Sequence, residues 1–416
     1  MSYVSHLRGI KSGTEYPADQ LMNLDPVDNR PVEMVLDVER LASEQPGGSW
    51  YEPGRNNMWR FGGLLALDIN DPADYEHIVS LGEGNTPELD YRDHPLARQA
   101  GLHLVVKDEG WSWPGYGSNP TRSFKDRGMS MTTSMAKRFG LQRLVVPTQG
   151  NAGDSLAEYA LAAGQQAAVI MPDDTPMPIM GKVAAYAARY PGFEIRFVEG
   201  TIREAGELMK AEYLPAGWFN VATFQEPGWR IEGKKTLGLE IAEPDAPGGA
   251  WEVPDVIIYP TGGGTGVLGM WKAFDELQAL GMIGAKRPRI YCIQSSATTP
   301  LVRAVEAGDD DTTPRGAGNT LAYGINVPGG IGHFKVLDII RRSGGGAVAI
   351  GEQEMLESLA SVWQDKHWWV CPEGAACLAA IGPLLDSGAL KKNEKVVVIN
   401  TGSAEKYLPE VQHLML

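Results

Sequence analysis

From about residue 80 onward, short apolar runs alternate with longer stretches of helical periodicity. The apolar runs are rich in β-branched residues, as buried strands are, and they cover 102–106, 144–146, 167–171, 195–198, 256–259, 290–293 and 396–399. The helical patterns between many of them cover 130–139, 155–163, 180–189, 202–213, 266–280 and 355–364. This alternation predicts an α/β fold with mostly parallel sheets.

The first 79 residues follow a different pattern. Residues 1–35 lack strong periodicity and contain several turn signals, and glycines 47 and 48 mark a linker. The apolar stretch 57–65 is expected to pack on the main body. We therefore predict an accessory N-terminal arm without catalytic residues.

Composition and charge restrict the possible partners and location. A chain of 416 residues predicts about two or three domains. The net charge of −15, with no basic cluster, argues against a nucleic-acid partner. Three cysteines without a CxxC pair are typical of a reducing compartment. No apolar run approaches ~18 residues and the start has no secretory h-region, so we expect a cytoplasmic protein without a membrane span.

One lysine lies where an amine could become a nucleophile. Lys125 follows the turn residues 118–123 and leads into a helical pattern, so both the helix dipole and burial disfavour its charged form. Such a lysine can form a Schiff base with a carbonyl. A solvated surface lysine is the alternative interpretation.

Three loops after predicted strands have small or hydroxyl residues suited to a ligand. Residues 147–155 and 259–266 each lead into a helix, whose N-terminal N–H groups attract anions. The alternative for the first loop is a tight turn with an N-cap at Asp154 or Ser155, and for the second a flexible loop. The third, at the end of strand 396–399, offers the hydroxyl of Thr401 to a heterocyclic nitrogen, or is simply a strand end.

Taken in order, these motifs resemble the fold type II pyridoxal-phosphate enzymes, specifically threonine synthases and their close relatives. The resemblance covers roughly residues 57–407. The motifs that carry it are LGEGNTP at 81–87, NPTRSFKDRG at 119–128, GNAG at 150–153, RIEGKKT at 230–236, GGGTG at 262–266, PEGAA at 372–376 and NTG at 400–402.

The resemblance implies a role for each matched residue. Lys125 would form the Schiff base with pyridoxal phosphate, Phe124 would flank its ring and Asn151 would bond its 3′-oxygen. Thr401 would meet the pyridine nitrogen. The residues implied to hold the cofactor phosphate are Gly262, Gly263, Gly264, Thr265 and Gly266. The candidate substrate residues are Thr148, Gln149, Gly150, Arg122, Arg230 and Lys234. Surface salt bridges are the alternative for Arg230 and Lys234.

The family's architecture carries over as a further expectation. It implies a large domain of residues 80–135 and 225–416, a small mobile domain of 136–224, and a homodimer. The implied reaction converts O-phosphohomoserine, a phosphorylated amino acid, and water to threonine and phosphate. One alternative is β-elimination or β-replacement on serine, threonine or phosphoserine. Another is a non-catalytic protein that binds pyridoxal phosphate or a phosphorylated ligand.

Three departures from the family pattern stand out. The zinc-ribbon frame has Gly9, Ser12, Asp25 and Asp28 in place of cysteines, so we predict a metal-free remnant. Arg122 replaces a glycine close to Lys125, and Gly228-Trp229 replaces a single residue before Arg230. These last two changes lie where the family is expected to read its substrate.

Overall fold

The computed structural model describes residues 3–246 and 248–415, and three β-sheets are formed within them. The strands are β1 Val4–Gly9, β2 Glu15–Pro17, β3 Val32–Leu36, β4 Glu88–Asp90, β5 His103–Asp108, β6 Arg143–Pro147, β7 Gln166–Pro172, β8 Phe193–Val198, β9 Phe219–Asn220, β10 Val256–Pro260, β11 Arg289–Ser295, β12 Gly346–Ile350 and β13 Lys395–Asn400.

The α-helices are α1 Val38–Glu44, α2 Pro72–Tyr75, α3 Pro95–Ala100, α4 Lys125–Arg138, α5 Asn151–Ala163, α6 Met177–Arg189, α7 Ile202–Leu208, α8 Trp229–Ala242, α9 Thr265–Ala279, α10 Pro300–Ala307, α11 His333–Ser343, α12 Glu352–Lys366, α13 Pro372–Ala379, α14 Ile381–Asp386 and α15 Leu408–Met415. Four short 3₁₀ segments lie at Pro46–Gly48, Met58–Leu64, Tyr323–Ile325 and Ala404–Tyr407, and a π turn continues α7 at Met209–Tyr213. Among the described residues, no helix is both long and apolar enough to cross a bilayer.

The chain divides into two compact units. The first contains the residues up to Gly84, Asn119–Thr121 and Lys125–Thr236, and the second contains Asn85–Ser118, Arg122–Phe124 and the residues from Leu237 on. The predicted division into domains 1–79, 80–135 with 225–416, and 136–224 describes a movement on substrate binding and stays a prediction.

The first unit holds two sheets. Strands β8-β7-β6-β9 form a four-stranded parallel sheet, and β2-β1-β3 form an antiparallel one. The sequence of residues 4–36, which forms this antiparallel sheet, has no strong periodicity. Strand β3 nevertheless alternates between buried and half-buried side chains, but five residues are too few for that alternation to stand out.

The second unit is built on a six-stranded sheet in the order β12-β11-β10-β13-β5-β4. All neighbours pair in parallel except β4 with β5. Its central strands β10 and β13 are almost entirely buried, which explains their unbroken apolar sequences. The predicted α/β fold with mostly parallel sheets is confirmed.

Two helices begin earlier than their apolar pattern predicted. Helix α4 begins at Lys125 rather than residue 130, and α5 begins at Asn151 rather than residue 155. Their first turns contain glycine and buried polar residues, such as Asp126 and Asp154, which interrupt the apolar periodicity. The predicted N-cap at Asp154 or Ser155 is therefore wrong, since Gly150 occupies that position.

Candidate active site

Lys125 is the first residue of α4, and buried hydrogen bonds fix the start of that helix. The carboxylate of Asp126 accepts bonds from the backbone N–H of Thr121 at 2.7 Å and from its hydroxyl at 2.6 Å. The hydroxyl of Ser155, in the first turn of α5, donates to the same carboxylate at 2.6 Å. The N-termini of α4 and α5 are therefore tied together, while Lys125 itself remains half-buried.

The loop before α5 contains Thr148, Gln149 and Gly150, so these residues lie beside the N-terminus of α5. The N–H of Gly150 donates to the Thr148 hydroxyl at 3.2 Å, and Asn151 begins the helix. The Gln149 amide donates to Asp174 at 2.9 Å. No side chain caps α5, so its first N–H groups suit an anionic ligand.

Arg230 and Lys234 lie on α8, which crosses α4 closely. A Cβ on Gly233 would lie 2.0 Å from the Arg127 carbonyl oxygen, and one on Gly128 would lie 3.5 Å from Lys234 Cε. At position 233 only glycine permits this approach, whereas the distance at position 128 is an ordinary contact. Both cations are 1% exposed, so the alternative of surface salt bridges is wrong.

Arg230 is buried with fewer hydrogen-bond partners than its guanidinium has donors. Arg230 Nη1 donates to the Val221 carbonyl at 3.2 Å and the Thr223 hydroxyl at 3.3 Å. Its Nε and Nη2 are buried and find no hydrogen-bond partner among residues 3–246 and 248–415. Burying such donors costs free energy, which an anionic ligand would recover.

The pKa values around Arg230 show the same imbalance. The pKa of Lys234 is held well below its usual value by burial and then by the positive charges of Lys125 and Arg230. Burial raises the pKa of the nearby Glu226 carboxyl to about 7. Glu226 is thus only partly ionised at neutral pH and gives Arg230 an incomplete negative countercharge. Shifted pKa values of this kind are typical of functional sites.

In the second unit, glycine is required at several positions between the end of β10 and the first turn of α9. A Cβ on Gly262 would lie 2.5 Å from the Gly324 carbonyl oxygen, and one on Gly266 would lie 1.9 Å from the Tyr259 hydroxyl. Gly264 has φ of 94°, in the left-handed region, and is the N-cap of α9. Such close packing excludes a loosely held loop. It leaves the N–H groups of Thr265 and Gly266 in the first turn of a 15-residue helix, where they suit a phosphate.

Phe124 and Thr401 lie together in the same unit. The Phe124 N–H donates to the Thr401 carbonyl at 3.1 Å. The Phe124 ring meets the Tyr259 ring edge-on, with centroids 6.2 Å apart. Tyr259 in turn packs under Gly266, so the structure groups Phe124, Thr401 and the glycine loop.

The comparisons with known proteins interpret these two groups of residues. A family model described as pyridoxal-phosphate dependent enzyme matches residues 79–402. This chain belongs to that family. It is therefore a pyridoxal-phosphate dependent enzyme.

The curated relatives and solved structures narrow the similarity. The chain is 29% identical to a threonine synthase of Methanocaldococcus jannaschii over 96% of this chain and 92% of that protein. It is 30% identical to a threonine synthase of Mycobacterium tuberculosis over 79% of this chain and 83% of that protein. Its fold resembles threonine deaminase isoform 2 from Solanum lycopersicum, with TM-score 0.63, 21% identity, and coverage of 83% and 85%. It also resembles maize serine racemase, with TM-score 0.62, 20% identity, and coverage of 80% and 93%.

The residues present fit pyridoxal phosphate. The half-buried amine of Lys125 suits a covalent link, and the glycine loop at the start of α9 suits the phosphate. The hydroxyl of Thr401 lies 3.8 Å from Cys371 Sγ, on a residue 7% exposed. A neutral hydroxyl there suits an unprotonated ring nitrogen.

Arg122 has an unusual backbone and side-chain environment for an arginine. Its φ of 59° lies in the left-handed region, which favours glycine. Its guanidinium lies 4.6 Å from the centre of the Trp111 ring and donates to the Ser112 hydroxyl at 2.7 Å. No acidic partner of Arg122 is found in the described part of the chain. Ion pairing of Arg122 with the nearby Asp126 or Glu109, as expected for an arginine with a purely structural role, is therefore not observed.

The Gly228-Trp229 departure is packed into the fold. Trp229 is fully buried, and its ring stacks on Phe139 at 5.7 Å and packs on Phe219 at 5.5 Å. Gly228 has φ of 77° and approaches the backbone of Glu33 in β3. That this change alters substrate reading stays a prediction.

The cysteine-free frame of the N-terminal arm is filled by hydrogen bonds. The buried Asp25 carboxylate accepts from the Ser12 and Tyr16 hydroxyls, both at 2.5 Å, and a Cβ on Gly9 would overlap it. Within the described residues, no group of His, Cys, Asp or Glu side chains is arranged to hold a metal.

Sequence reasoning missed two residues of this site. Glu226 lies four residues before Arg230, but nothing in the sequence indicates that it is buried. Cys371 immediately precedes the 372–376 motif, and its N–H donates to Asn400 Oδ1 at 3.1 Å. That position beside a motif was the available signal.

Proposed function

We propose that this enzyme converts O-phosphohomoserine and water to threonine and phosphate. The observation that carries the proposal is the buried guanidinium of Arg230, which has two donors without a partner in the described residues and lies beside Lys234, whose charge interacts with that of Lys125. A cluster of this kind suits a substrate with a distal phosphate. The similarity to threonine synthases over nearly the whole chain supports the same reaction.

Pyridoxal phosphate, when bound, draws electrons from the substrate's α-carbon. We assign Lys125 to hold it covalently, Asn151 to its 3′-oxygen and Thr401 to its ring nitrogen. Residues Gly262–Gly266 would hold its phosphate and Phe124 would flank its ring. Each role is a proposal that follows from the matching motif.

The chain's own residues would then perform the chemistry. The amine of Lys125 would remove the proton from the substrate Cα as a general base. Arg230 and Lys234, with the Thr148 hydroxyl, would bind the phosphate as the Cγ–O bond breaks and its electrons leave with the phosphate. A proton would leave Cβ before the phosphate departs. A water molecule would then supply the hydroxyl to Cβ, and protons returned to Cγ, which becomes the methyl group, and to Cα would complete threonine. Gln149 and Gly150, at the N-terminus of α5, suit the substrate carboxylate.

Arg122 is proposed as a further contact for an anionic group of the substrate. Its guanidinium is oriented by Ser112 and Trp111, and no carboxylate of the described residues forms an ion pair with it. An arginine held in this way keeps free donors for a phosphate or a carboxylate. We also propose the homodimer as part of this function, to be tested by sedimentation.

A substrate panel tests the proposed reaction. O-phosphohomoserine, serine, threonine and phosphoserine are scored for release of phosphate, threonine and ammonia. We expect equal amounts of phosphate and threonine from O-phosphohomoserine alone. Ammonia from serine or threonine would instead establish β-elimination, and turnover of none of them would contradict both reactions.

Variants of the cation cluster link the reaction to the structure. Arg230→Met and Lys234→Met should each raise KM for O-phosphohomoserine at least tenfold, because one charge-assisted contact is worth about 1.5–3 kcal/mol. Cofactor binding should be retained. Lys210→Met, which removes an exposed cation of the same unit, is the control. An unchanged KM in both cluster variants would contradict the assignment.

A further inference from the structure

The first turn of α11 supports the glycine loop from behind. His333 is fully buried, and its Nε2 lies 2.8 Å from the carbonyl oxygen of Gly262. Three residues further along the same helix, Cγ2 of Val336 would lie 2.4 Å from a Cβ placed on Gly264. Two residues of one helical turn therefore contact two residues of the loop.

The hydrogen-bond partners assign the tautomer of His333. The N–H of Gly330 lies 3.1 Å from Nδ1 and can only donate, so Nδ1 must be unprotonated. The Thr312 hydroxyl lies 2.9 Å from the same nitrogen. The ring proton is then on Nε2 and is donated to Gly262. Burial lowers the pKa of His333, against a smaller opposite effect of the Asp311 charge and the bond to Gly262, which favours this neutral form.

The bond to Gly262 determines where the next N–H group points. In a planar trans peptide, the carbonyl of one residue and the N–H of the next point in opposite directions. A donor fixed on the Gly262 oxygen thus holds the Gly263 N–H on the other side of the peptide plane. Gly262 and Gly264 are buried, whereas Gly263 is partly exposed.

We propose that His333 is a positioning residue that orients the Gly263 N–H toward the phosphate of pyridoxal phosphate. The proposal rests on the part of the proposed function that assigns this phosphate to the glycine loop. It does not depend on which substrate the enzyme uses.

The test compares two cofactor forms that differ only in the phosphate. Apoprotein carrying His333→Leu, His333→Gln or Thr312→Val is titrated with pyridoxal phosphate and with pyridoxal. His333→Leu should weaken pyridoxal phosphate binding about tenfold, as expected for a lost buried hydrogen bond, and leave pyridoxal binding unchanged. His333→Gln should restore most of the affinity because its amide nitrogen can donate in place of Nε2. Thr312→Val is the control and should bind both forms normally, because Gly330 still fixes the tautomer.

Two outcomes would overturn the inference. Either His333→Leu binds pyridoxal phosphate as tightly as the unsubstituted protein, or it loses affinity for both forms equally, as a packing defect would. If the unsubstituted protein binds both forms equally, the loop holds no phosphate, and that part of the proposed function is contradicted as well.

A second measurement on the unsubstituted holoenzyme keeps the inference testable if the leucine variant does not fold. Histidine ¹⁵N resonances, assigned by comparison with Thr312→Val, should show His333 protonated only on Nε2. Removal of the cofactor should shift that resonance. Protonation on Nδ1, or no response to the cofactor, would overturn the inference.

Discussion

At the scale of single residues, the proposed reaction depends on the balance of charge around Arg230. The negative charge of Glu226 affects the pKa values of both Arg230 and Lys234. Because burial raises the pKa of Glu226 to about 7, the cluster changes its net charge within the physiological range. Substrate binding should therefore respond to pH through this carboxyl.

Glu226→Gln should remove that response. In the unsubstituted enzyme, Glu226 is neutral below about pH 7, and above it the carboxylate competes with the substrate for the two cations. We expect KM for O-phosphohomoserine to rise by about tenfold as the pH increases from 6 to 8. In Glu226→Gln the rise should be absent. The same rise in both enzymes would contradict this role.

The stability of the fold should depend on Glu226 in the same direction. A carboxyl whose folded-state pKa is raised contributes stability that is fully present below its unfolded pKa. This contribution is lost as the pH rises through about 7. Urea denaturation of the unsubstituted protein and of Glu226→Gln should therefore show a difference that grows from pH 5 to about 7 and is constant above it.

Arg122→Gly separates the backbone effect from the charge effect at this position. Glycine relieves the left-handed conformation, so stability should change little despite the lost contact with Trp111. KM for anionic substrates should rise, by an amount equivalent to about 1.5–3 kcal/mol, while cofactor binding is retained. Ser112→Ala, which removes only the contact that orients the guanidinium, should give a smaller effect. An unaltered KM in Arg122→Gly would make the arginine structural.

At the scale of elements, the crossing of α4 and α8 connects packing to the candidate site. Gly128 and Gly233 allow the helices that carry Lys125 and Lys234 to approach each other at backbone distance. The hydrogen bonds of Asp126 fix the other side of α4 to α5. The position of Lys125 is thus determined by two helix contacts.

Gly233→Ala should disturb this crossing. The new methyl group would lie 2.0 Å from a backbone oxygen, and overpacking of this kind costs about 1–3 kcal/mol. We expect a lower Tm together with a lower kcat/KM, because Lys234 would move with the helix. Gly206→Ala in α7 is the matched control, since no atom lies within 4 Å of the new methyl group. It should be neutral or stabilising by about 0.5–1 kcal/mol. Equal Tm values for the two variants would contradict the packing argument.

At the scale of the whole molecule, the sequence predicted what depends on local pattern. Unbroken apolar runs such as 256–259 and 396–399 predicted the central strands, since burial on both faces requires them. Glycine-rich loops after strands predicted the places where a ligand would bind.

Features that depend on partners distant in the chain could not be predicted. His333 lies 71 residues from Gly262 in the chain. Trp229, at the start of α8, packs on Phe139, which follows the end of α4. Asp25 was recognised only as a missing cysteine, because its hydrogen bonds to Ser12 and Tyr16 depend on the three-dimensional arrangement of the arm. Strand β3 was missed because it alternates over only five residues and has no unbroken apolar run, and β12 because its sequence GAVAI is dominated by small residues.

The proposed reaction makes a specific statement about bond cleavage, which isotope labelling tests directly. The holoenzyme is incubated with O-phosphohomoserine in H₂¹⁸O, and the products are analysed by mass spectrometry. We expect one ¹⁸O atom in the hydroxyl of threonine and none in the phosphate at early times, because the Cγ–O bond breaks and water adds at Cβ. Label in the phosphate with release of homoserine, or no threonine at all, would contradict the account.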